Sequence, residues 1–489
     1  MANLRWWGTA FAVLLVSAAT AISAPVLKFK TLVNFDGTNG SGPQSSLVQG
    51  RDGNFYGTTE DGGAHGLGTV FKISQYGVLT ILYSFCAKAN CRDGLFPVGA
   101  LVLANDGSFY GTTMSGGSSN NCNQSGCGTV FRITPQGALT TLHSFDSTDG
   151  TNPQAALIVA RSGDFYGTTL RGGSSALCGL QGGCGTVFRI TPAGMLTTVY
   201  NFCSQAGCPD GQYPYGAVVQ GFDGNLYGTT NWGGNESCNP PVGCGTVFKM
   251  TPGGTLKTIH IFDSTDGSGP YDSLVEAMNG DFYGTTFSGG SAPGCTADAG
   301  CGTVFEINAR GMFRKLLSFD VHGPNNPWAG LVQATDGNFY GTTYYGGAFN
   351  DGAVFEVTPL GKATTVHGFN LTDGADPYGG LLQGTAGNFY GTTSTASDGP
   401  GTIFEFSTGL GPFVAFVRGD GRVGQTFGIL GQGFTGTTGI SLNGIPTSFT
   451  VVSPTFIKAT VPLGATTGFV VVTTPGSKLT SNVPFQVIP

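Results

Sequence analysis

Four aromatic residues, Tyr215, Tyr271, Trp328 and Tyr378, stand directly after a loop proline in successive copies of a repeated segment. The three earlier copies carry Gln44, Val98 and Gln154 at the same position. Trp232, Phe287, Tyr344 and Tyr345 fall in neighbouring loops of the fourth to sixth copies. Aromatic faces edged by Asp and Asn suit sugars, which stack on rings and hydrogen-bond at their rims. The competing reading is that these rings fill the space between adjacent copies.

Catalytic chemistry finds less support. Of the five histidines, His143, His260 and His367 recur at one position of the repeat, which marks them as structural. Glu60, Asp61, Glu236 and Asp272 are the acids near the same loops. Glycoside cleavage needs two carboxylates at a fixed separation across a cleft, and their spacing in the sequence does not supply that. Asp146-Ser-Thr-Asp149-Gly and Asp263-Ser-Thr-Asp266-Gly look like fragments of calcium loops. A full oxygen cage takes six or more ligands, so turns capped by Asp side chains account for them. Gly-rich strings do not follow a strand and open a helix, which excludes a phosphate loop. No catalytic residue, metal or cofactor is expected.

The twelve cysteines form six local pairs: Cys86/Cys91, Cys122/Cys127, Cys178/Cys184, Cys203/Cys208, Cys238/Cys244 and Cys295/Cys301. Each pair accompanies a loop insertion. Phe145-Asp-Ser-Thr-Asp-Gly150 is short and has none, whereas Phe85-Cys-Ala-Lys-Ala-Asn-Cys-Arg-Asp-Gly94 is longer and has one. Six short-range disulfides in an oxidising compartment are the economical reading. Zinc would require more than two cysteines with no histidine beside them. Short loops lose little chain entropy on closure, so these bridges shape loops more than they stabilise the fold.

The elements that must position these residues are set by Tyr-Gly-Thr-Thr. It occurs seven times, from Tyr56, Tyr110, Tyr166, Tyr227, Tyr283, Tyr340 and Tyr390, at spacings of 54, 56, 61, 56, 57 and 50 residues. Such a period means one supersecondary unit copied seven times. One copy reads as four strands, over residues 99–104, 108–113, 128–134 and 139–145, separated by Asn-Asp-Gly, Gly-Gly and Pro-x-Gly punctuation. Four antiparallel strands repeated seven times predict a seven-bladed β-propeller over residues 24–411. A solenoid would call for distinct capping units. Residues 31–36 match a fourth strand but precede the first copy, and the last copy lacks one, so the N-terminal strand is expected to close the ring. Alternating strand direction puts the Asp-Gly and Pro-x-Gly turns on one face. The cysteine-bearing Gly-Gly loops and the Asp-Gly-x-x-Pro loops share the other, where function is expected.

After residue 411 the repeat stops. Residues 412–489 hold alternating β segments near 427–430, 447–452, 457–461 and 468–473, predicting an immunoglobulin-like β-sandwich. Val423-Gly-Gln-Thr-Phe, Gly431-Gln-Gly-Phe434 and Ser441-Leu-Asn-Gly444 resemble the IPT/TIG family. The repeats, with Asp52-Gly-Asn-Phe-Tyr-Gly-Thr-Thr59, Gly62-Gly63 and Gly68-Thr-Val-Phe-Lys-Ile-Ser74, resemble bacterial GloVer-type tandem repeats over roughly residues 31–406. That resemblance implies export and carries no established activity. Its members have varied C-terminal anchors; no sorting tail is read in Pro484-Phe-Gln-Val-Ile-Pro489.

Only 10% of residues are charged, the net charge is −7, and Lys and Arg are scattered singly, which excludes nucleic acid as a partner. Arg5, the apolar run over residues 10–21 and Ala21-Ile22-Ser23 read as a secretory signal ending at residue 23. No later segment reaches transmembrane length. The expectation is a secreted, monomeric, non-enzymatic binding protein, with a glycan or cell-envelope component as partner. An extracellular polysaccharide hydrolase or lyase, and a structural envelope protein, are the alternatives.

Overall fold

The computed structural model describes residues 27–488 except 120–121, 123–124, 179–181, 236, 239, 241, 293 and 296–299. The leader read over residues 1–23 lies outside them. Among the described residues regular structure is all β, apart from one 3-10 turn at Ala89–Cys91. The repeats form a propeller-like succession of four-stranded antiparallel sheets, seven in number. The first contains Val48–Gln49, Phe55–Thr59, Thr69–Ile73 and Leu79–Ser84, hydrogen-bonded in chain order. In the second, the opening strand is only Val102–Leu103 rather than residues 99–104. The reason is local: the Gly99 carbonyl is bonded by the Thr58 hydroxyl of the preceding copy instead of by a ladder partner. The seventh sheet takes its fourth strand from Lys28–Asn34, which pairs antiparallel with Thr402–Ser407. This strand starts three residues earlier than the 31–36 read from sequence, because Phe29 finds ring partners in His367 (centroids 3.7 Å apart) and Phe404 (5.4 Å).

Each letter of Tyr-Gly-Thr-Thr has its own physical task. The strand is buried along its whole length in every copy, as in Phe55–Thr59. The tyrosine ring packs on the apolar residue that opens the next copy's strand: Tyr56 on Phe109 at 4.1 Å, Tyr283 on Phe339 at 4.1 Å, and Tyr390 back onto Phe55 at 4.0 Å. Each buried ring contributes about 1.5–3 kcal/mol, so the interfaces between neighbouring sheets hold the array together. The glycine admits the third-strand phenylalanine; a Cβ on Gly57 would lie 2.6 Å from Phe71 Cζ and 2.7 Å from Leu47 Cδ2. The first threonine donates to a backbone carbonyl of the next copy at 3.0–3.1 Å, from Thr58 to Gly99 through to Thr342 and Gly379. Thr392 then donates to Ser45, returning to the first copy at 3.1 Å. The second threonine joins a third-strand threonine, as Thr59 does Thr69 at 2.8 Å. The sixth copy, with Ala353 there, lacks that pair.

The recurring histidines are structural ties. His143 and His367 bond to Asp149 and Asp373 at 2.7 and 3.0 Å, and His260 lies 2.9 Å from Asp266. Tyr83 and Tyr200 make the same tie to Asp93 and Asp210. In the fifth copy the position is Leu317, and its loop reads Asp320-Val-His-Gly323 with no Asp before the glycine. Tie and partner are lost together. The Asp-Ser-Thr-Asp loops are reciprocal turns: Asp146 Oδ1 accepts from the Thr148 and Asp149 amides while Asp149 Oδ1 accepts from the Asp146 amide.

The residue before each loop proline is left-handed in all seven copies: Gly42, Phe96, Asn152, Tyr213, Gly269, Asn326 and Asp376, with φ between 53° and 63°. A bulky side chain is strained there. Asn152 and Asn326 relieve it and donate Nδ2 hydrogen bonds to the carbonyls of Met114 and Phe287. Phe96→Asn places the same group within reach of the matching Glu60 carbonyl. The variant is expected to gain about 0.5–1 kcal/mol, read as a raised midpoint in urea; an unchanged or lower midpoint would show that Phe96 packing outweighs the strain.

Beyond the repeats, Ala415–Phe416, Thr426–Leu430, Phe456–Thr460 and Phe449–Ser453 form one four-stranded sheet. Ile445–Pro446, Gly439–Leu442, Val470–Thr473 and Lys478–Thr480 form another. Phe427, Ile429, Ile440, Leu442, Ile457 and Val472 share one buried cluster between them. This region packs against the Asp-Gly turns of the repeats. Thr455 donates to the Arg51 carbonyl at 2.7 Å, Gln432 to the Thr385 hydroxyl at 3.1 Å, and Arg418 to the Arg161 carbonyl. The Arg51 guanidinium sits 4.6 Å above the Phe456 ring, and Phe456 and Leu430 join the cluster of Tyr56, Leu103 and Phe109.

Candidate functional site

One cavity of about 160 Å³ is lined by all seven copies. Its wall includes every residue that follows a loop proline: Gln44, Val98, Gln154, Tyr215, Tyr271, Trp328 and Tyr378. The loops bring them there by a repeated device. Each Asp-Gly-x-x-Pro loop bridges to the loop after Tyr-Gly-Thr-Thr, as in Ser41 with Asp61, Gln212 with Trp232 and Ala375 with Thr395. Each proline then packs on the glycine before the preceding copy's third strand; a Cβ on Gly68 would meet Pro97 Cδ at 2.4 Å. Proline fixes φ, so the residue after it enters the cavity wall in one conformation.

The aromatics make a continuous arc. Tyr271 stacks on Trp328 with centroids 4.2 Å apart and planes 19° apart. Tyr215 meets Tyr271 edge-on at 5.0 Å, and Tyr378 meets Trp328 edge-on at 5.0 Å. Tyr344 extends the arc through Tyr378 at 4.9 Å and carries Tyr345, which is exposed, at 4.4 Å. Trp232 is not brought into it. Its ring packs edge-on against Tyr213 at 5.2 Å, with the Arg171 guanidinium 5.9 Å from the Tyr213 ring. The Tyr-Gly-Thr-Thr rings pack between neighbouring sheets, and the arc rings also meet from copy to copy while lining the cavity. Burial pushes the Tyr215 and Tyr271 hydroxyls above their ordinary pKa, so both are neutral donors.

A second tier lies behind the wall: the residue directly after Tyr-Gly-Thr-Thr. Glu60 holds the Gln44 amide nitrogen, Met114 sulfur receives that of Gln154 at 3.3 Å, and Phe287 packs against both Tyr271 and Trp328. Sequence reading named Glu60, Phe287 and Tyr344 separately. Aligning the copies on this one position would have joined them and added Met114.

Of the candidate acids among the described residues, Asp272 alone reaches the cavity wall. Its Oδ1 accepts from the Ser273 amide and its Oδ2 from the Gly330 amide of the next copy, both at 2.7 Å. The other copies have Ser45, Gly99, Ala155, Gly216, Ala329 and Gly379 at this position. Burial, then the Asp61 charge, raises the Glu60 pKa; burial also raises that of Asp61. Glu236 lies outside the described residues.

The six cysteine pairs are disulfides: Cys86–Cys91, Cys122–Cys127, Cys178–Cys184, Cys203–Cys208, Cys238–Cys244 and Cys295–Cys301. They point to an oxidising, extracellular environment. The sulfurs of Cys178, Cys203 and Cys208 lie within 4.8 Å of one another; all three are bridged, so this is two adjacent disulfides and not a metal centre. Among the described residues no helix is long and apolar enough to cross a membrane.

No curated protein matches this sequence. Among solved structures, the extracellular domain of a hybrid two-component system from B. thetaiotaomicron is similar at 10% identity and a TM-score of 0.50, covering 94% of this chain and 57% of that one. A fungal alcohol oxidase solved with copper gives 12% identity and a TM-score of 0.47, covering 94% and 99%. A gluconolactonase from Xanthomonas campestris gives 13% and 0.38, covering 79% and 92%. Likenesses at such identities concern the fold alone. The sequence itself speaks more directly, for the profile of the Gloeobacter/Verrucomicrobia repeat matches residues 19–178, 87–292 and 239–444. With those matches spanning most of its length and seven copies of the unit in its sheets, the chain belongs to the Gloeobacter/Verrucomicrobia repeat family.

Proposed function

We propose that this is an exported binding protein. Residues 24–411 form a seven-bladed β-propeller, residues 412–489 an immunoglobulin-like sandwich of the IPT/TIG kind, and the cavity wall recognises a glycan or another cell-envelope component. The observation that carries this reading is the aromatic arc of Tyr215, Tyr271, Trp328 and Tyr378 on a cavity to which every copy contributes. Stiff loops hold the arc in place, and a preorganised site loses little entropy on binding. The C-terminal region sits against the Asp-Gly turns, away from the clipped loops, and so acts as a docked support rather than a free spacer.

Polysaccharide cleavage is the weaker reading. It calls for two carboxylates roughly 5–10 Å apart facing the scissile bond. Among the described residues the wall offers Asp272 alone, and two backbone amides already hold that carboxylate.

A glycan array probed with the mature protein tests the proposal. Trp328→Ala removes the ring on which Tyr271, Phe287 and Tyr378 converge and is expected to weaken binding at least tenfold, since stacking of this kind is worth about 0.5–1.5 kcal/mol beyond the area lost. Trp232→Ala, outside the arc, should leave affinity within about twofold. Equal losses from both changes, or binding to no glycan or envelope fraction, would discard the arc as the site.

A further inference from the structure

We infer that the cavity selects ligands bearing an ammonium group, an amino sugar with a free amine being the fitting class, and turns away acidic sugars. This rests on the binding role proposed above and adds a charge to it. The one charged group on the wall is an acid, and the wall's largest apolar side chains are aromatic. The faces of Tyr215, Tyr271, Trp328 and Tyr378 carry the negative side of the ring quadrupole, which attracts cations. Asp272 supplies a carboxylate beside Tyr271, in the middle of the arc, where no other copy has an acid. Its two backbone bonds leave acceptor capacity, because a carboxylate offers about four lone-pair sites. On the opposite side the amide nitrogens of Gln44 and Gln154 are taken up by Glu60 and Met114. Each amide oxygen remains free to accept from a ligand.

The wall offers an anion no positive charge. No Lys, Arg or His is among the lining residues. The Arg171 guanidinium sits behind the arc against Tyr213 and does not line the cavity. A carboxylated or sulfated sugar would meet Asp272 and the aromatic arc without a cationic partner, at a cost in desolvation. Size narrows the ligand further. A cavity of about 160 Å³ is below the roughly 300–1,000 Å³ that encloses a drug-sized ligand. It takes one sugar unit, the end of a chain, rather than a run of several.

The test compares three probes on the mature full chain by calorimetry: a glucosamine oligomer, the N-acetylglucosamine oligomer of the same length, and an oligogalacturonate. The amine form should bind about tenfold tighter than the acetylated one, within the range of a desolvated cation on aromatic faces, and the uronate should not bind. The preference should shrink as salt is raised. Asp272→Asn should erase most of it, read as the ratio of the two affinities. Because that change disturbs a bond to Gly330, its fold is checked by thermal melt, and the salt dependence of the unaltered protein gives the same information without it. Equal or tighter binding of the acetylated or acidic oligomer, or a preference insensitive to salt, overturns the charge selection even if the arc binds sugar. If no oligomer binds, the glycan reading falls. Quenching of tryptophan fluorescence by tetramethylammonium, with sodium acetate as the control, then decides the charge preference alone: no quenching refutes it.

Discussion

Deleting residues 27–34 is expected to unfold the seventh sheet and, with it, the cooperative unit. Lys28–Asn34 forms the fourth strand of that sheet, in register from Lys28 opposite Ser407 to Asn34 opposite Thr402. Without it, Thr402–Ser407 becomes an edge strand with a free row of backbone donors and acceptors, a template for aggregation. The Phe29 ring is lost from Phe404, Phe369 and His367. The loss propagates because Tyr390 packs on Phe55 and Thr392 donates to Ser45, joining the last copy to the first. The ladder and the ring together are worth upwards of about 4 kcal/mol, a large share of the ~5–15 kcal/mol that stabilises a typical protein. The midpoint of urea unfolding should fall, and size-exclusion chromatography should show oligomers. A synthetic peptide of residues 27–35 should restore the monomer peak. Unchanged unfolding of the truncated chain would mean that closure does not depend on this strand.

The second large effect is Glu276→Gln. Four copies carry a glutamine at this first-strand position, and each bridges two turns. Gln220 Oε1 accepts from the Arg161 amide at 2.8 Å while its Nε2 donates to the Gly224 carbonyl at 2.9 Å. Gln49, Gln333 and Gln383 repeat the pattern. Glu276 accepts from the Phe222 amide at 2.8 and 3.0 Å. Where a glutamine would donate to the next turn's carbonyl, it has only a second acceptor. Burial, aided by the Asp223 charge and opposed by the Phe222 amide and Arg161, raises its pKa from 4.5 to about 7.

The sign follows from proton counts. Between pH 4.5 and 7 the unfolded chain releases this proton while the folded one retains it, so stability falls as pH rises across that window and levels off above it. Glutamine keeps the donor at all pH values. The variant should match the parent below about pH 4.5 and exceed it by about 1–2 kcal/mol at pH 8, less than the ~1.4 kcal/mol per pKa unit would give in full because part of the side chain faces solvent. Chemical denaturation at several pH values measures the gap. A gap that is constant with pH, or of opposite sign at pH 8, removes the proton from the explanation.

Much of this molecule was legible before folding was considered. Seven Tyr-Gly-Thr-Thr strings at near-constant spacing imply a copied unit, because each copy needs the same ring, the same glycine gap and the same two hydroxyls. Cysteine pairs placed only where loops lengthen imply short-range bridges, since nothing distant need be known to close a five- or six-residue separation. The residue after each loop proline was legible as a class, because proline fixes where the chain enters the next strand. Three things were not legible. Trp232 and Tyr344 hold neighbouring loop positions in the sequence, yet one packs on Tyr213 and the other joins the arc, a choice made by side-chain neighbours from other copies. The register of the N-terminal strand depended on Phe29 meeting His367 and Phe404, more than 300 residues away. Asp272 was one of four candidate acids near the loops, and only the arrangement of the copies around one cavity put it on the wall. Periodicity and covalent chemistry are local and can be read along the chain. The charge and shape of a site assembled from seven distant loops exist only once tertiary packing has set them side by side.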